Sequence, residues 1–535
     1  IYDSVSMQFS DRPVIVSVQA APRIADSTVV VETVLRNDGP AVTTSLAQTI
    51  EEWRGGRKTG GRVSEKVSLG AGETKTIRQT VRVPSARLWS PEDPFLYVLN
   101  TSTSGDSQRT RFGMREFRFD TATRRAYLNG KPRFLRGSNI TLHRFFEDPL
   151  AGALPWDEKW VRRLLVDLPK QMHWDTFRFC IGPVPDRWLE IADEAGLLIQ
   201  NEYFIWTGGK GWSCWRDEWD MDLLSEHFRE WMRDNWNHAS VVLWDASNES
   251  LAPLLKEKII PAVRGSDLSN RPWDNGYNPP DGENDPVEYH AYFFQRGWQG
   301  KLPPFRMTEL ESFTKTGGTH APDQNTRAVL LNEYGWLWLN RDGSPTALTG
   351  KIYEDLTGAA ASPAERLAMN AYLLAGETEF WRSLRKFAGV IHFVYLTSSY
   401  PGVYTSDHFR DLTRLELRPE FAEWVGESFK PLGVYVKFWQ PSLAAGAART
   451  FPVEVINDFD SAVSGRLHLS FEASGGQPGE ERTLRFEVPA LGKSTYEIQA
   501  AAPARAGDYV LRVVAQPEAG PVKEPTVSRR RVRIK

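Results

Sequence analysis

Between Ile1 and about Thr110, apolar and polar residues alternate in short runs. Val14, Val16 and Val18 share one face; Val29, Val31, Thr33 and Leu35 share another. Turn residues break the runs at Asn37-Asp38-Gly39-Pro40, Gly55-Gly56, Gly60-Gly61 and Gly70-Ala71-Gly72. A period of two with frequent turns predicts an antiparallel, immunoglobulin-like β-sandwich over residues 1–110. From 111 to 433 the pattern changes, and short apolar runs alternate with helix-length amphipathic stretches. Strand candidates begin at Phe134, Thr176, Leu197, Val241, Pro272, Val287, Ala328 and Val390. Between the first two, Trp160, Leu164, Leu165 and Leu168 fall on one helical face. A further helix is predicted from Asp186, as N-cap, to a stop at Gly196, and another from Asp217 to Asn235. Eight strands separated by helices predict a (β/α)8 TIM barrel. From 434 to 535 alternation returns, with Leu467/Leu469/Phe471, Leu484/Phe486/Val488 and Tyr509/Leu511/Val513 as faces of a second β-sandwich.

Composition adds exclusions. Of 535 residues, 41% are hydrophobic and 25% charged, as in an ordinary globular protein, so wholesale disorder is ruled out. The net charge of −3 provides no basic field for nucleic acid. No apolar run approaches the ~20 residues that span a bilayer, and Ile1 to Ser10 show neither a basic start nor an apolar signal core. Two cysteines, Cys180 and Cys214, are too few for a disulfide framework or a four-cysteine zinc site. Two buried thiols are expected, although one bridge stays open. His143, His173 and His290 show no compact ligand spacing, and no phosphate-binding glycine loop stands between a strand and a helix, so no metal and no cofactor are expected. The run Arg529-Arg530-Arg531 with Arg533 reads as a solvated strand edge.

Active residues of such barrels lie at the C-terminal ends of the strands. The polar residues there are Asn139, Arg178, Glu202, Asn248, Glu249, His290, Tyr292 and Glu333. Two glutamates, on strands four and seven, face one mouth, as glycoside hydrolysis requires. One carboxyl group protonates the leaving oxygen, and the other attacks or activates water. A carboxyl separation of about 5–5.5 Å means retention and about 6.5–9.5 Å means inversion. The acid/base needs a raised pKa, whereas a nucleophile must stay charged. The chain has 20 Trp. Of these, Trp206, Trp212, Trp215, Trp273, Trp336 and Trp338 flank strand ends, where ring faces can meet sugar C–H groups. Trp336 follows Glu333 closely and is the first choice.

Several stretches, in order, carry a resemblance. They are Leu88-Trp89-Ser90-Pro91-Glu92-Asp93-Pro94-Phe95-Leu96-Tyr97, Phe112-Gly113-Met114-Arg115-Glu116, Leu128-Asn129-Gly130-Lys131-Pro132, Leu135-Arg136-Gly137, Ile191 to Leu198, and the strand ending in Asn248-Glu249. The sequence resembles glycoside hydrolase family 2, the family of β-galactosidases, β-glucuronidases and β-mannosidases. The resemblance implies a retaining mechanism, with Glu249 as acid/base and Glu333 as nucleophile. It also implies Asn248 on the sugar 2-hydroxyl and Arg178 holding the nucleophile ionised. Three departures stand out. The jelly-roll domain that opens the family is absent from this sequence. No Trp follows strand eight, where the run Ile391-His392-Phe393-Val394-Tyr395-Leu396 leaves His392, Tyr395 or a neighbouring loop as the sugar platform. No Asn-x-Lys triplet, the uronate-binding feature of β-glucuronidases, follows it either.

The expectation is a retaining, exo-acting hydrolase of terminal β-linked sugars, β-galactosides first, with Arg178, Asn248, Glu202, His290, Tyr292, Trp336 and Asn139 as substrate-binding residues. Its partner is an oligosaccharide or glycoside, with no nucleic acid and no membrane. A homo-oligomer, or a partner supplying the jelly roll, stays open. A periplasmic or secreted bacterial location is favoured. A non-catalytic carbohydrate-binding protein on the same scaffold, or one subunit of a larger glycosidase, is the alternative.

Overall fold

The computed structural model describes residues 3, 5–206, 219–297, 301–313, 326–473 and 481–535. Cys214, Trp212 and Trp215 lie outside the described residues. At the N-terminal side two antiparallel sheets face each other. One holds Val14–Arg23, Thr28–Arg36 and Thr74–Arg82; the other holds Val42–Glu52, Lys58–Leu69, Tyr97–Ser102 and Ser107–Phe112. Val29, Val31, Thr33 and Leu35 are buried between them, as their alternation predicts. Val16 is not buried. The register slips between Ile15 and Ser17, which turns Val16 outward (42% exposed) and puts Ile15 and Val18 in the core.

The barrel follows. Its strands are β1 (Leu135–Ile140), β2 (Thr176–Phe179), β3 (Leu198–Glu202), β4 (Val241–Asp245), β5 (Trp273–Asp274), β6 (Val287–Ala291), β7 (Val329–Tyr334) and β8 (Gly389–Leu396). They form one parallel sheet in the order β5-β4-β3-β2-β1-β8-β7-β6. The β1–β8 pairing joins the two ends of the sequence order, and among the described residues the ring stays unpaired between β5 and β6. Several strands run further than the apolar pattern suggests. Asn139, Glu202, His290 and Glu333 are therefore among the last two residues of their strands, with side chains on the barrel's inner face or mouth, and not loop residues beyond them. Trp160, Leu164, Leu165 and Leu168 are all buried on one face. The Asp157 carboxylate caps their helix by accepting from the Lys159 and Trp160 amides. A wider turn over 163–167 precedes Pro169, whose missing N–H leaves the regular ladder one bond short. The helix α1 spans Asp186–Ala195, with Pro185 and not Asp186 in the cap position. Gly196 ends it at φ +79°, and a Cβ there would stand 2.7 Å from Pro91 Cα, so the first sandwich packs directly against this turn. Trp89 adds to that joint by donating from Nε1 to the Asp193 carbonyl at 2.8 Å.

The C-terminal sandwich pairs a three-stranded sheet (Leu432–Val436, Ala448–Asn457, Lys493–Ala501) with a five-stranded one containing Val463–Ala473, Arg482–Val488, Gly507–Ala519 and Thr526–Ile534. Leu484 is 38% exposed and sits outside its core. The arginine run is not a solvated edge throughout. Arg530 is buried, pairs with Glu379 of the helix α2 (Pro363–Ser383) at 2.7 Å, and lies 3.9 Å over the Trp439 ring. It anchors the sandwich to the barrel, and removing it would leave a buried carboxylate unpaired. No helix among the described residues is long and apolar enough to cross a membrane.

Behind β8, His392 and His408 pack ring to ring (5.2 Å), and His408 stacks on Phe421 at 3.8 Å. Burial lowers His392 to about 3 and holds His408 well below 6.5. Both rings are therefore neutral when folded and take up protons on unfolding. Their contribution is complete above pH 6.5 and is lost as pH falls. Buried carboxyls such as Glu377, which burial raises, act in the opposite sense, so the comparison must be between variants. His408→Phe keeps the stack and removes the proton uptake. Relative to the native chain it should gain about 2 kcal/mol between pH 6.5 and pH 5, read as the difference in denaturant-unfolding free energy at the two pH values. A pH-independent difference would remove this account.

Candidate active site

The floor of the barrel mouth is organised by one guanidinium. Arg178, inside β2, is fully buried. It donates from Nε to Asp245 (3.0 Å), from Nη1 to Glu333 (2.7 Å), and from Nη2 to Glu202 (3.1 Å) and the Asn248 side-chain oxygen Oδ1 (2.9 Å). These partners come from β3, β4 and its extension, and β7. Beneath lies a second tier. Gln200 donates to Asp245 (2.8 Å) and Asp274 (3.0 Å), and Asn332 donates to Asp274 (3.1 Å) and Glu288 (3.0 Å). Burial drives the Glu202 and Asp274 carboxyls well above the usual range and Asp245 to about 6, against the pull of Arg178.

The two glutamates meet over this floor. Glu333 has a 5% exposed side chain, held by Arg178 on one oxygen and by the Tyr292 hydroxyl on the other. Glu249 follows β4 in a left-handed turn (φ +48°), a conformation uncommon for a non-glycine residue, with a 26% exposed side chain. Its Oε1 accepts from the Tyr277 hydroxyl at 3.0 Å and from His290 Nδ1 at 2.9 Å. His290 Nδ1 is also 3.5 Å from Glu333, and its Nε2 is 3.2 Å from Glu288. One oxygen of Glu249, one of Glu333 and a ring nitrogen of His290 all lie within 4.8 Å of one another.

The charge distribution departs from the sequence expectation. Burial raises Glu249, but the His290 hydrogen bond and charge, the Tyr277 hydroxyl and the Arg178 charge outweigh it and bring the carboxyl to about 2. Burial alone would lower His290. The Glu333 and Glu288 charges and the bonds to Glu249 and Glu288 overcome it and keep the imidazole protonated well above its ordinary range. These surroundings therefore favour the proton expected on Glu249 on His290 instead. This trio could geometrically hold a cation, as could Asp245, Asp274 and Glu288. Here the imidazolium, the guanidinium and the two amides serve those oxygens.

Arg178, Asn248, Glu249, His290, Tyr292 and Glu333 are brought together. Trp336 joins them, its ring 4.8 Å from Tyr292, in a left-handed conformation (φ +63°). Other expected residues do not reach the pocket. Asn139 is fully buried and donates its amide to the Asn332 (2.7 Å) and His392 (3.0 Å) carbonyls. Glu202 is also fully buried, and its second oxygen accepts the Ile181 amide at 2.7 Å. His290 has both nitrogens on carboxylates and none for a sugar hydroxyl. His392 and Tyr395 are no platform: both are buried, and the Tyr395 hydroxyl donates to the Leu164 carbonyl at 3.0 Å. Trp273 is buried against Trp231 and Trp244. The aromatic wall is instead the series Tyr292, Trp336, Trp338 and Phe393, with successive centroids 4.8, 4.9 and 5.9 Å apart. Sequence reasoning missed Asp245, Asp274, Glu288 and Tyr277. The signal for two of them was a charged residue inside an apolar strand run, Leu243-Trp244-Asp245-Ala246 and Val287-Glu288-Tyr289.

Comparison with known proteins agrees with this architecture. Residues 14–115 match the model for glycosyl hydrolases family 2, and residues 122–292 match that family's TIM barrel domain. A putative β-glucuronidase of Formosa agariphila is 29% identical over 206 residues, 37% of this chain and 18% of the relative. A β-galactosidase of Photobacterium profundum is 29% identical over 183 residues, 32% of this chain and 17% of the relative. The matched stretches thus span less than a fifth of these curated relatives. Among solved structures, the Amycolatopsis orientalis exo-chitosanase CsxA superimposes with a TM-score of 0.71 at 18% identity, over 96% of this chain and 63% of that one. A β-D-mannosidase from Dictyoglomus thermophilum gives 0.62 at 15%, over 97% and 74%. At such identities the two structures speak for the fold. With both family models matched in order along the first sandwich and the barrel, the chain belongs to glycoside hydrolase family 2.

Proposed function

We propose that the protein is a retaining, exo-acting glycoside hydrolase that releases terminal β-linked sugars by double displacement. The observation that carries this is the approach of a Glu249 oxygen and a Glu333 oxygen to within 4.8 Å across the barrel mouth, from β4 and β7, which favours the short separation of retaining enzymes. Glu333 is the nucleophile. Arg178 and Tyr292 fix both its oxygens, so one can attack the anomeric carbon while the other stays bound. Glu249 is the acid/base. It protonates the departing oxygen as the glycosyl ester forms, then takes a proton from the water that cleaves the ester. Its initial proton comes from the shared His290–Glu249 pair. Asn248, held by Arg178, is the 2-hydroxyl contact. The related chains named β-glucuronidase, β-galactosidase and β-D-mannosidase support a β-linkage. A β-galactoside is the first sugar to assay.

Three expected outcomes follow from these roles. Glu333→Gln should abolish turnover of every aryl glycoside the native chain cleaves, with NMR of the native reaction showing the β-anomer first. Unchanged hydrolysis, or an α-anomer as first product, removes the mechanism. Sugar binding by a native chain that cleaves nothing would favour a non-catalytic binding protein. Glu249→Gln should cost about 10²–10⁴-fold in kcat/KM on poor leaving groups and far less on dinitrophenyl glycosides, which need no proton.

His290→Gln addresses the shared proton. In the native chain the alkaline limb of kcat/KM reports loss of the proton held by the pair, set by the raised His290. Without the imidazolium, that limb reports Glu249 alone and should move to lower pH. A uniform fall at every pH, with the limb unmoved, would make His290 merely structural.

A further inference from the structure

The mouth holds a cation that no carboxylate among the described residues answers. We propose that Arg144 recognises an anionic substituent, a carboxylate or a sulfate, on the sugar that enters the pocket. Arg144 lies in the single helical turn Leu142–Phe145 that follows β1. Its guanidinium carbon is 5.7 Å from the Trp206 ring centre and 6.0 Å from that of Phe393. The first ring belongs to the segment that pairs with Asn248, and the second lies on β8 at the end of the aromatic wall. The guanidinium therefore stands between a residue paired with the neighbour of Glu249 and the ring that ends the aromatic wall. Its field also reaches the Cys180 thiol, 3.9 Å from a Glu333 oxygen; burial raises that thiol, while Arg178 and, more weakly, Arg144 act against it.

A guanidinium has five N–H donors. The hydrogen bond Arg144 makes among the described residues is Nη1 to Thr405 Oγ1 at 3.0 Å. The acids next to it in sequence are engaged elsewhere. Asp148 accepts from Arg341 Nη1, the Ser399 amide and, on its other oxygen, the Leu150 amide, at 2.8, 2.8 and 2.9 Å. Glu147 accepts from the Tyr400 hydroxyl at 2.9 Å. Arg178, Arg341 and Arg382, by contrast, all lie in ion pairs. An anionic sugar entering this pocket meets two carboxylates that repel it, so binding it requires a compensating cation on the wall. A guanidinium steadied against ring faces presents the planar fork that fits carboxylate or sulfate oxygens in pairs.

The inference uses the proposed hydrolysis for its first readout, so a second readout is independent of it. With the full chain, matched aryl β-hexosides would be compared as the neutral sugar, the uronide and the 6-sulfate. The native chain should prefer one anionic member over its neutral parent, and which one identifies the anion. Arg144→Gln should lower kcat/KM on that member by about 10- to 100-fold and on the neutral parent by less than threefold. Arg144→Lys should recover part of the loss. Equal losses on all three, or a native preference for the neutral sugar, overturn the proposal. Calorimetric titration with the free hexuronate and with the free 6-sulfated hexose tests it even if nothing is hydrolysed. At least one of them should bind the native chain at least tenfold more tightly than the Arg144→Gln variant. Equal binding of both to the two proteins, or no binding to either, also overturns it. Loss of hydrolysis with this difference intact would sink the mechanism and leave Arg144 in its role.

Discussion

A single buried guanidinium decides how this barrel closes. Burying an unpaired charge costs several kcal/mol or more, and the cost is offset only when good hydrogen bonds surround it. Arg178 has those bonds only when β2, β3, β4 and β7 have come together, because Glu202, Asp245, Asn248 and Glu333 lie on or beside those strands. Barrel closure and assembly of the reactive floor are therefore one event. A closed barrel without the floor would hold an orphan cation, and the floor without the closed barrel has nothing to converge on. For the same reason the arginine is a poor place to probe chemistry by substitution, since the fold answers first.

Around this centre the charges do not balance. Glu202, Asp245, Asp274, Glu288, Glu249 and Glu333 make six carboxyl groups against the cations Arg178 and His290. Protons must make up part of the difference, and the environments decide where they sit. Burial favours them on Glu202 and Asp274 in the interior, and the acid-rich surroundings keep one on His290. Glu333 has both oxygens tied to fixed donors, whereas Glu249 sits on a left-handed turn, more exposed and bonded to groups that can yield it a proton. Two chemically identical side chains are thus given different surroundings, as the roles proposed for them require.

The sequence reveals the scaffold better than the wiring. Apolar runs locate the barrel strands other than the two-residue β5, because a strand buried on both faces needs an apolar stretch. They misplace the strand ends, because the inner face of the barrel mouth is polar. Asn139, Glu202, His290 and Glu333 look like the start of loops and are the ends of strands. The meeting of Glu249 and Glu333 at one mouth was legible, since both stand at or just beyond the ends of barrel strands. Tyr277 and Asp274 were not, because β5 is two residues long and carries almost no periodic signal. Arg530 misled for another reason. Alternation along its strand puts Arg530 on the same buried face as Val532 and Ile534, while Arg531 and Arg533 point to solvent, so a charge that the composition of the run assigns to water meets Glu379 and Trp439 instead.

The loops beyond the strands show how a structural ion pair can set the character of a binding site. Arg341, in the segment after β7, binds Asp148 from the turn after β1 and Asp407 from beyond β8. That clamp ties three loops into one rigid rim, where pre-organisation favours selective binding over adaptation. It also consumes Asp148, the buried carboxylate nearest in sequence to Arg144, and the neighbouring Glu147 is turned to Tyr400. The same bond that makes the rim rigid therefore leaves a positive charge on it. Rigidity of the rim and the selectivity proposed for Arg144 would rest on one arrangement, with no separate residue set aside for either.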